Sequence, residues 1–280
     1  MRRLKGRPVA GLALAGALLG GAIPAIVWPE APLPLADDLD GALGAIWQLH
    51  RVRSDGLAFV PDPTGLPRRV LAITLKPGDM AGDGGGTERA ELSEANAVHL
   101  PTGTDVWYAF SLYLPPDFPV QDRRLVIGQW KQDCGDYVAA HSPAVANRYR
   151  GGVFAITIDT AAGRRTLFED RAEFRGRWHR LVYRLRIVPS PDGLLRAWLD
   201  ARPVVDYQGP LGFADDRDSV YFKIGLYRDP LGVPMTLLVA GFRRGSSRAQ
   251  VDSESAARPV GVEGQASPVA RPVSIGGAGP

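Results

Sequence analysis

From about residue 41 to residue 246 this chain sustains no long apolar period of 3.6, so long helices are excluded from its main body. Short apolar runs recur instead, several alternating with a period of two, as in Trp107-Tyr108-Ala109-Phe110-Ser111-Leu112-Tyr113. Proline, aspartate and glycine punctuate them, as in Pro191-Asp192-Gly193 and Asp200-Ala201-Arg202-Pro203. Candidate strands cover residues 58–60, 69–75, 87–94, 105–113, 125–131, 152–157, 166–169, 178–187, 194–199, 202–207, 220–227 and 236–243. No βαβ rhythm separates them. The expected fold is therefore all-β: an antiparallel, concanavalin-like β-jelly-roll sandwich whose concave face forms a groove for a chain-like ligand.

A chain of 280 residues, 45% hydrophobic, is long enough for one sizeable β domain. The net charge of +3 comes from 33 basic and 30 acidic residues, which argues against a non-specific nucleic-acid binder. A single cysteine, Cys134, excludes an internal disulfide and any multi-cysteine metal site. The four histidines show no HxH or HExxH spacing, so no metal cofactor is expected. Calcium at Asp215-Asp216-Arg217-Asp218 is the alternative to reading that cluster as a solvated turn. At the N-terminus, Arg2, Arg3, Lys5 and Arg7 precede a Gly/Ala-rich apolar run to about Val27. Residues 1–27 read as an export signal, with an outward-facing membrane anchor as the alternative, so a secreted or periplasmic monomer is expected. Residues 28–40 read as a linker, 41–246 as the catalytic-type domain and 247–280 as a disordered Ser/Ala/Gly/Pro tail.

Three stretches carry the chemistry: Arg89-Ala90-Glu91-Leu92, Gln129-Trp130-Lys131, and Tyr221-Phe222-Lys223-Ile224-Gly225-Leu226-Tyr227. Alternate strand residues share a face. Arg89 therefore sides with Glu91, Gln129 with Lys131, and Tyr221 with Lys223 and Tyr227. Side by side, these strands would present cations, an amide and phenols on one surface, which suits an anionic sugar polymer. Cleaving a polyuronate without water means removing the proton at C5 and expelling the oxygen at C4. The adjacent carboxylate must be neutralised, which Arg89, Gln129 and Lys131 can do. A base and an acid are also needed, and tyrosine, with a reference pKa of about 10, can serve if cations lower it.

In this order the three stretches resemble the signature strands Arg-x-Glu-Leu, Gln-x-His and Tyr-Phe-Lys-x-Gly-x-Tyr of alginate lyase-type polysaccharide lyases. Heparin lyase I-like and glucuronan lyase-like proteins are more distant members of that β-jelly-roll group. The glycine-rich Gly82-Asp83-Gly84-Gly85-Gly86 loop and Gly176-Arg177-Trp178-His179-Arg180-Leu181-Val182 also resemble the group, and the likeness covers about residues 45 to 246. It implies an exported lyase acting on an acidic polysaccharide. The catalytic set is then Tyr227, Lys131, Gln129 and Arg89. Glu91, Lys223 and Tyr221 line the substrate.

One position departs from the pattern. Lys131 stands where the family has a histidine that acts as base or carboxylate neutraliser. Either Tyr227 makes both proton transfers, another histidine enters the site, or activity is lost. His141 lies in the polar stretch 132–151, expected to fold over the groove as a lid, with Arg148 and Arg150 as further carboxylate contacts. Taken singly, each residue also fits an ordinary sheet: Arg89 and Glu91 as a surface ion pair, Lys223 as a snorkelling lysine, Tyr221 as packing. A glycoside hydrolase on a similar sandwich needs two carboxylates about 5 to 9.5 Å apart. The usual Glu-x-Asp signature is absent, and a non-catalytic polysaccharide-binding protein is the other alternative.

Overall fold

The computed structural model describes residues 33–53, 55–82, 86–133, 141–214 and 219–252. The leader, Cys134, the Asp215–Asp218 cluster, the centre of the glycine-rich loop and the tail beyond residue 252 lie outside them. Sixteen strands are seen among the described residues: β1 Leu35–Asp37, β2 Trp47–His50, β3 Leu57–Pro61, β4 Arg69–Leu75, β5 Glu88–Glu94, β6 Leu100–Pro101, β7 Val106–Tyr113, β8 Leu125–Gln132, β9 Val145–Arg150, β10 Val153–Thr160, β11 Gly163–Asp170, β12 Trp178–Arg186, β13 Leu194–Leu199, β14 Arg202–Gln208, β15 Ser219–Arg228 and β16 Met235–Gly245. They form two eight-stranded antiparallel sheets. One runs β14-β13-β12-β7-β16-β4-β3 with β1 against β16, the other β11-β10-β9-β8-β15-β5-β2 with β6 against β15. The expected all-β sandwich is the fold. No described helix is long and apolar enough to cross a membrane.

Period two builds both sheets. On β12, Leu181, Tyr183 and Leu185 enter the core, while Arg184 and Arg186 reach Asp105 on the outside, each at 2.8 Å. The decisive packing is aromatic. Trp130 of β8 lies with its ring centroid 4.7 Å from Phe222 of β15 and 4.6 Å from Tyr183 of β12, and Phe222 lies 5.0 Å from Phe110 of β7. Because Trp130 and Phe222 point inward, their neighbours Gln129, Lys131, Tyr221 and Lys223 must point outward. The core thereby orients the outer face of the second sheet.

Four differences from the sequence reading matter. Residues 35–37, expected in a linker, pair as β1 with β16, and the Asp37 carboxylate accepts from Trp47 Nε1 at 3.0 Å. Residues 145–150, expected in a lid, form β9, an interior strand between β8 and β10. Its polar sequence disguised it: Asn147 is buried against the Tyr183 hydroxyl at 2.6 Å, and Arg148 belongs to the outer face. The four-residue β2 was too short to read. Past residue 246, Arg248–Val251 forms a helical turn whose Val251 is buried with Ala109 and Val182, so the domain extends beyond the expected boundary.

A buried ion pair ties the sheets together. Arg244 of β16 and Glu94 of β5 are both fully buried and 2.8 Å apart; Glu94 also accepts the Phe222 N–H at 2.9 Å. Removing one partner strands the other charge. Arg244→Met should therefore cost about 3–5 kcal/mol, measured as a lower urea midpoint with the far-ultraviolet dichroism of the folded state unchanged in form.

Candidate active site

Strand register gathers the outer-face residues into rows. Tyr227 of β15 faces Arg89 of β5 and Val126 of β8, and Val126 faces Arg148 of β9. In the next row, Gly225 faces Glu91, which faces His50 of β2. In the third, Lys223 stands between Ser93 and Gln129, and Gln48 lies beyond Ser93. Tyr221 opposite Lys131 makes the fourth. The three sequence motifs do converge on one face.

Glu91 organises the middle of it. Its fully buried carboxylate has Oε2 3.0 Å from Arg89 Nε, an ion pair by proximity rather than an aligned hydrogen bond. Its Oε1 accepts from Gln129 Nε2 at 2.5 Å. Glu91 and Gln129 sit on strands that flank β15, so they touch only by reaching across it. Gly225, directly opposite Glu91, lets the β15 and β5 backbones approach closely. Its φ of +142° disfavours side chains, and a Cβ there would meet the Ala90 carbonyl oxygen at 2.3 Å.

An imidazole reaches the same cluster from another strand, β2. His50 has Nδ1 2.8 Å from Lys223 Nζ and Nε2 3.2 Å from Arg89 Nη1. Burial, then Lys223 and Arg89, push its pKa down to about 3. The ring is therefore neutral at physiological pH, and its single lone pair can accept from only one of the two cations; Lys223, the nearer at 2.8 Å, meets Nδ1. His179 shows the opposite arrangement: its ring nitrogens face an Asp200 carboxylate oxygen at 2.8 Å and the Phe174 carbonyl at 3.1 Å, beneath the sheet, in a structural role.

Tyr227 is covered by guanidinium groups, with Arg89 Cζ 4.4 Å and Arg124 Cζ 5.4 Å from its ring centroid. Lys131 donates to the His141 carbonyl at 2.9 Å, which anchors that end of the loop. His141 stacks its ring on Phe213 at 4.1 Å, and no described contact places it beside His50 or Arg89. Arg148 is nearly buried, donating to Thr157 at 3.0 Å. Arg150 departs from the expected set: it holds Asp122 at 2.6 Å on the exposed rim, because it lies at the last position of β9. Tyr221 is stacked by His99, centroids 4.4 Å apart, and Lys223 Nζ lies 5.2 Å from its ring centroid. A cavity of about 350 Å³ opens here, with His50, Lys223, Tyr221 and His99 among its walls.

No local sequence context marks His50 or His99. The sequence signal that points to them is the lysine at the family's histidine position, which leaves room for another histidine to enter the site.

Three outcomes are expected. In an NMR titration the His50 ring resonances should hold their neutral positions from pH 8 down to 5; a midpoint above 5 would contradict the burial between Lys223 and Arg89. The unfolded ring titrates at 6.5 and the folded one at about 3, so as pH falls below 6.5 the unfolded state gains the proton first and stability is lost progressively. His50→Gln should flatten that part of the pH–stability curve. Gly225→Ala should force β5 away from β15, destabilising the fold by more than about 1 kcal/mol and separating Glu91 from Gln129, visible as lost activity even below the melting transition.

With this geometry in place, comparisons with known proteins become informative. A family model described as polysaccharide lyase matches residues 41–249. Among solved structures, the endo-β-1,4-glucuronan lyase of the fungus Trichoderma reesei superposes with a TM-score of 0.62 at 17% identity, covering 78% of this chain and 97% of that one. Alginate lyase A1-II' superposes with a TM-score of 0.51 at 13% identity, covering 72% and 94%. A search of curated protein sequences finds no match. The structural likenesses establish a shared fold, and the family match covers most of the chain: this protein belongs to the polysaccharide lyase family.

Proposed function

We propose that the protein is an exported lyase that cleaves a uronic-acid-containing polysaccharide by β-elimination at the outer face of the second sheet. The observation that carries the reading is the neutral His50 held between Arg89 and Lys223, one row from Gln129 and next to the Arg89–Tyr227 pair. A uronate carboxylate entering this face meets Arg89 and the Gln129 amide, both oriented by Glu91. Their attraction grows as charge moves from C5 into the carboxylate, so they favour the transition state over the ground state. That carboxylate also draws Lys223 off the His50 Nδ1 lone pair, freeing the ring as a base, while the Tyr227 hydroxyl serves as the partner acid at the leaving oxygen. The C5 proton moves to the ring, the C5–H electrons form the C4–C5 double bond, and the C4–O bond breaks with the proton from tyrosine. Lys223 and Lys131 add cationic field; Lys131 does so while fixing the His141 backbone.

The glucuronan and alginate lyases that share the fold act on the polyuronates their names state, which supports the acidic substrate. The basic, small-residue apolar N-terminus supports export.

Incubation with a panel of polyuronates should produce the ultraviolet absorbance of an unsaturated uronate. New reducing ends without that absorbance would mean hydrolysis, and binding with neither would mean a non-catalytic protein. On the cleaved substrate, Tyr227→Phe and His50→Gln should each lose on the order of 10² to 10⁴ in kcat. Arg89→Ala and Gln129→Ala should lower kcat more than they raise KM. Lys131→Met should be impaired less than His50→Gln; the reverse ranking would return the base to the second motif.

A further inference from the structure

The outer face differs chemically from one end to the other. Strand order places Arg148 on β9 and Arg164 on β11 at one end, the reactive cluster on β8, β15 and β5 in the middle, and the cavity beside β2 at the other end. At the first end, Arg148 and Arg164 share one carboxylate, Asp159, and Arg164 holds it at 2.9 Å while Arg148 stands 4.0 Å away. Arg148 therefore brings a nearly buried positive charge with little compensation, crowded by Arg164 and Arg124. At the other end the cavity adjoins the reactive cluster at His50 and is otherwise walled by Gln48, Asn96, His99 and Tyr221, with Lys223 and Asp133, whose formal charges cancel. Burial lowers the pKa of His99, which favours its neutral form. Amides and the face of a half-exposed His99–Tyr221 stack suit the hydroxyls and C–H face of an uncharged sugar ring. A second carboxylate there would gain no net charge partner.

We infer that the site selects an acidic heteropolysaccharide: a reactive uronate in the middle, a neutral sugar beside it in the β2 cavity, and a second uronate at Arg148. The inference rests on the lyase reading for which sugar is reactive, but its charge pattern stands on the walls alone. The backbone of Arg148 lies two strand spacings from that of Tyr227, roughly 10 Å, with Val126 between them. A uronate every second residue matches that separation, whereas a homopolyuronate would put a carboxylate into the cavity.

Calorimetry with two probes decides it: tetraglucuronate, and a tetrasaccharide of alternating glucuronate and glucose. Wild type should bind the alternating probe about tenfold or more tighter. Asn96→Arg, an exposed replacement in the 3₁₀ turn Asn96–Val98 at the cavity wall, should narrow or reverse that preference. Arg148→Gln should weaken the alternating probe about tenfold. Equal or tighter binding of tetraglucuronate by wild type, binding of neither probe, or a preference untouched by Asn96→Arg would each overturn the inference. Preference for the alternating probe without any unsaturated product would leave it standing and remove the lyase reading instead.

Discussion

The contact between Trp130 and Phe222, closed from the opposite sheet by Tyr183 and Phe110, is the constraint on which the rest of this molecule depends. Both rings are fully buried. A one-residue slip of either strand would expose an indole or a phenyl ring and bury lysines in its place, at a cost of several kcal/mol per residue. The register between β8 and β15 is therefore tightly specified. With it fixed, Lys223 must lie opposite Gln129, and Tyr221 opposite Lys131. The chemistry on the outside is placed by hydrocarbon on the inside.

Electrostatics then does what packing cannot. Arg89, Lys223 and Lys131 place cations on one face, and the fully buried Glu91 carboxylate holds Arg89 in position there. Burial, together with the same cations, keeps His50 unprotonated. Two further buried pairs, Glu94–Arg244 between the sheets and Glu88–Arg228 beneath the end of β15, keep the strands that bear this cluster from shifting.

The position of the imidazole is where this chain departs from the family's motif. Lys131 on β8 occupies the motif position but spends a donor on the His141 carbonyl. His50 comes from β2, a four-residue strand at the sheet's edge, and reaches the same cluster from the opposite side.

Much was readable from the residues alone. Period two and turn punctuation determined an antiparallel β sandwich, because alternation is a local property of each strand. Motif spacing placed Arg89 with Glu91, Gln129 with Lys131 and Tyr221 with Lys223, since which side chains share a strand face is also local. What the tertiary structure alone decided is everything that crosses strands. Glu91 meets Gln129 only because β5 and β8 flank β15 in one sheet. His50 matters only because β2 pairs with β5. Residues 145–150 became an interior strand rather than a lid because Tyr183, on the facing sheet, satisfies Asn147 and the outer face accommodates Arg148. Strand pairing joins residues more than a hundred positions apart, and the energy that selects it comes from burial across two sheets, which no local pattern records.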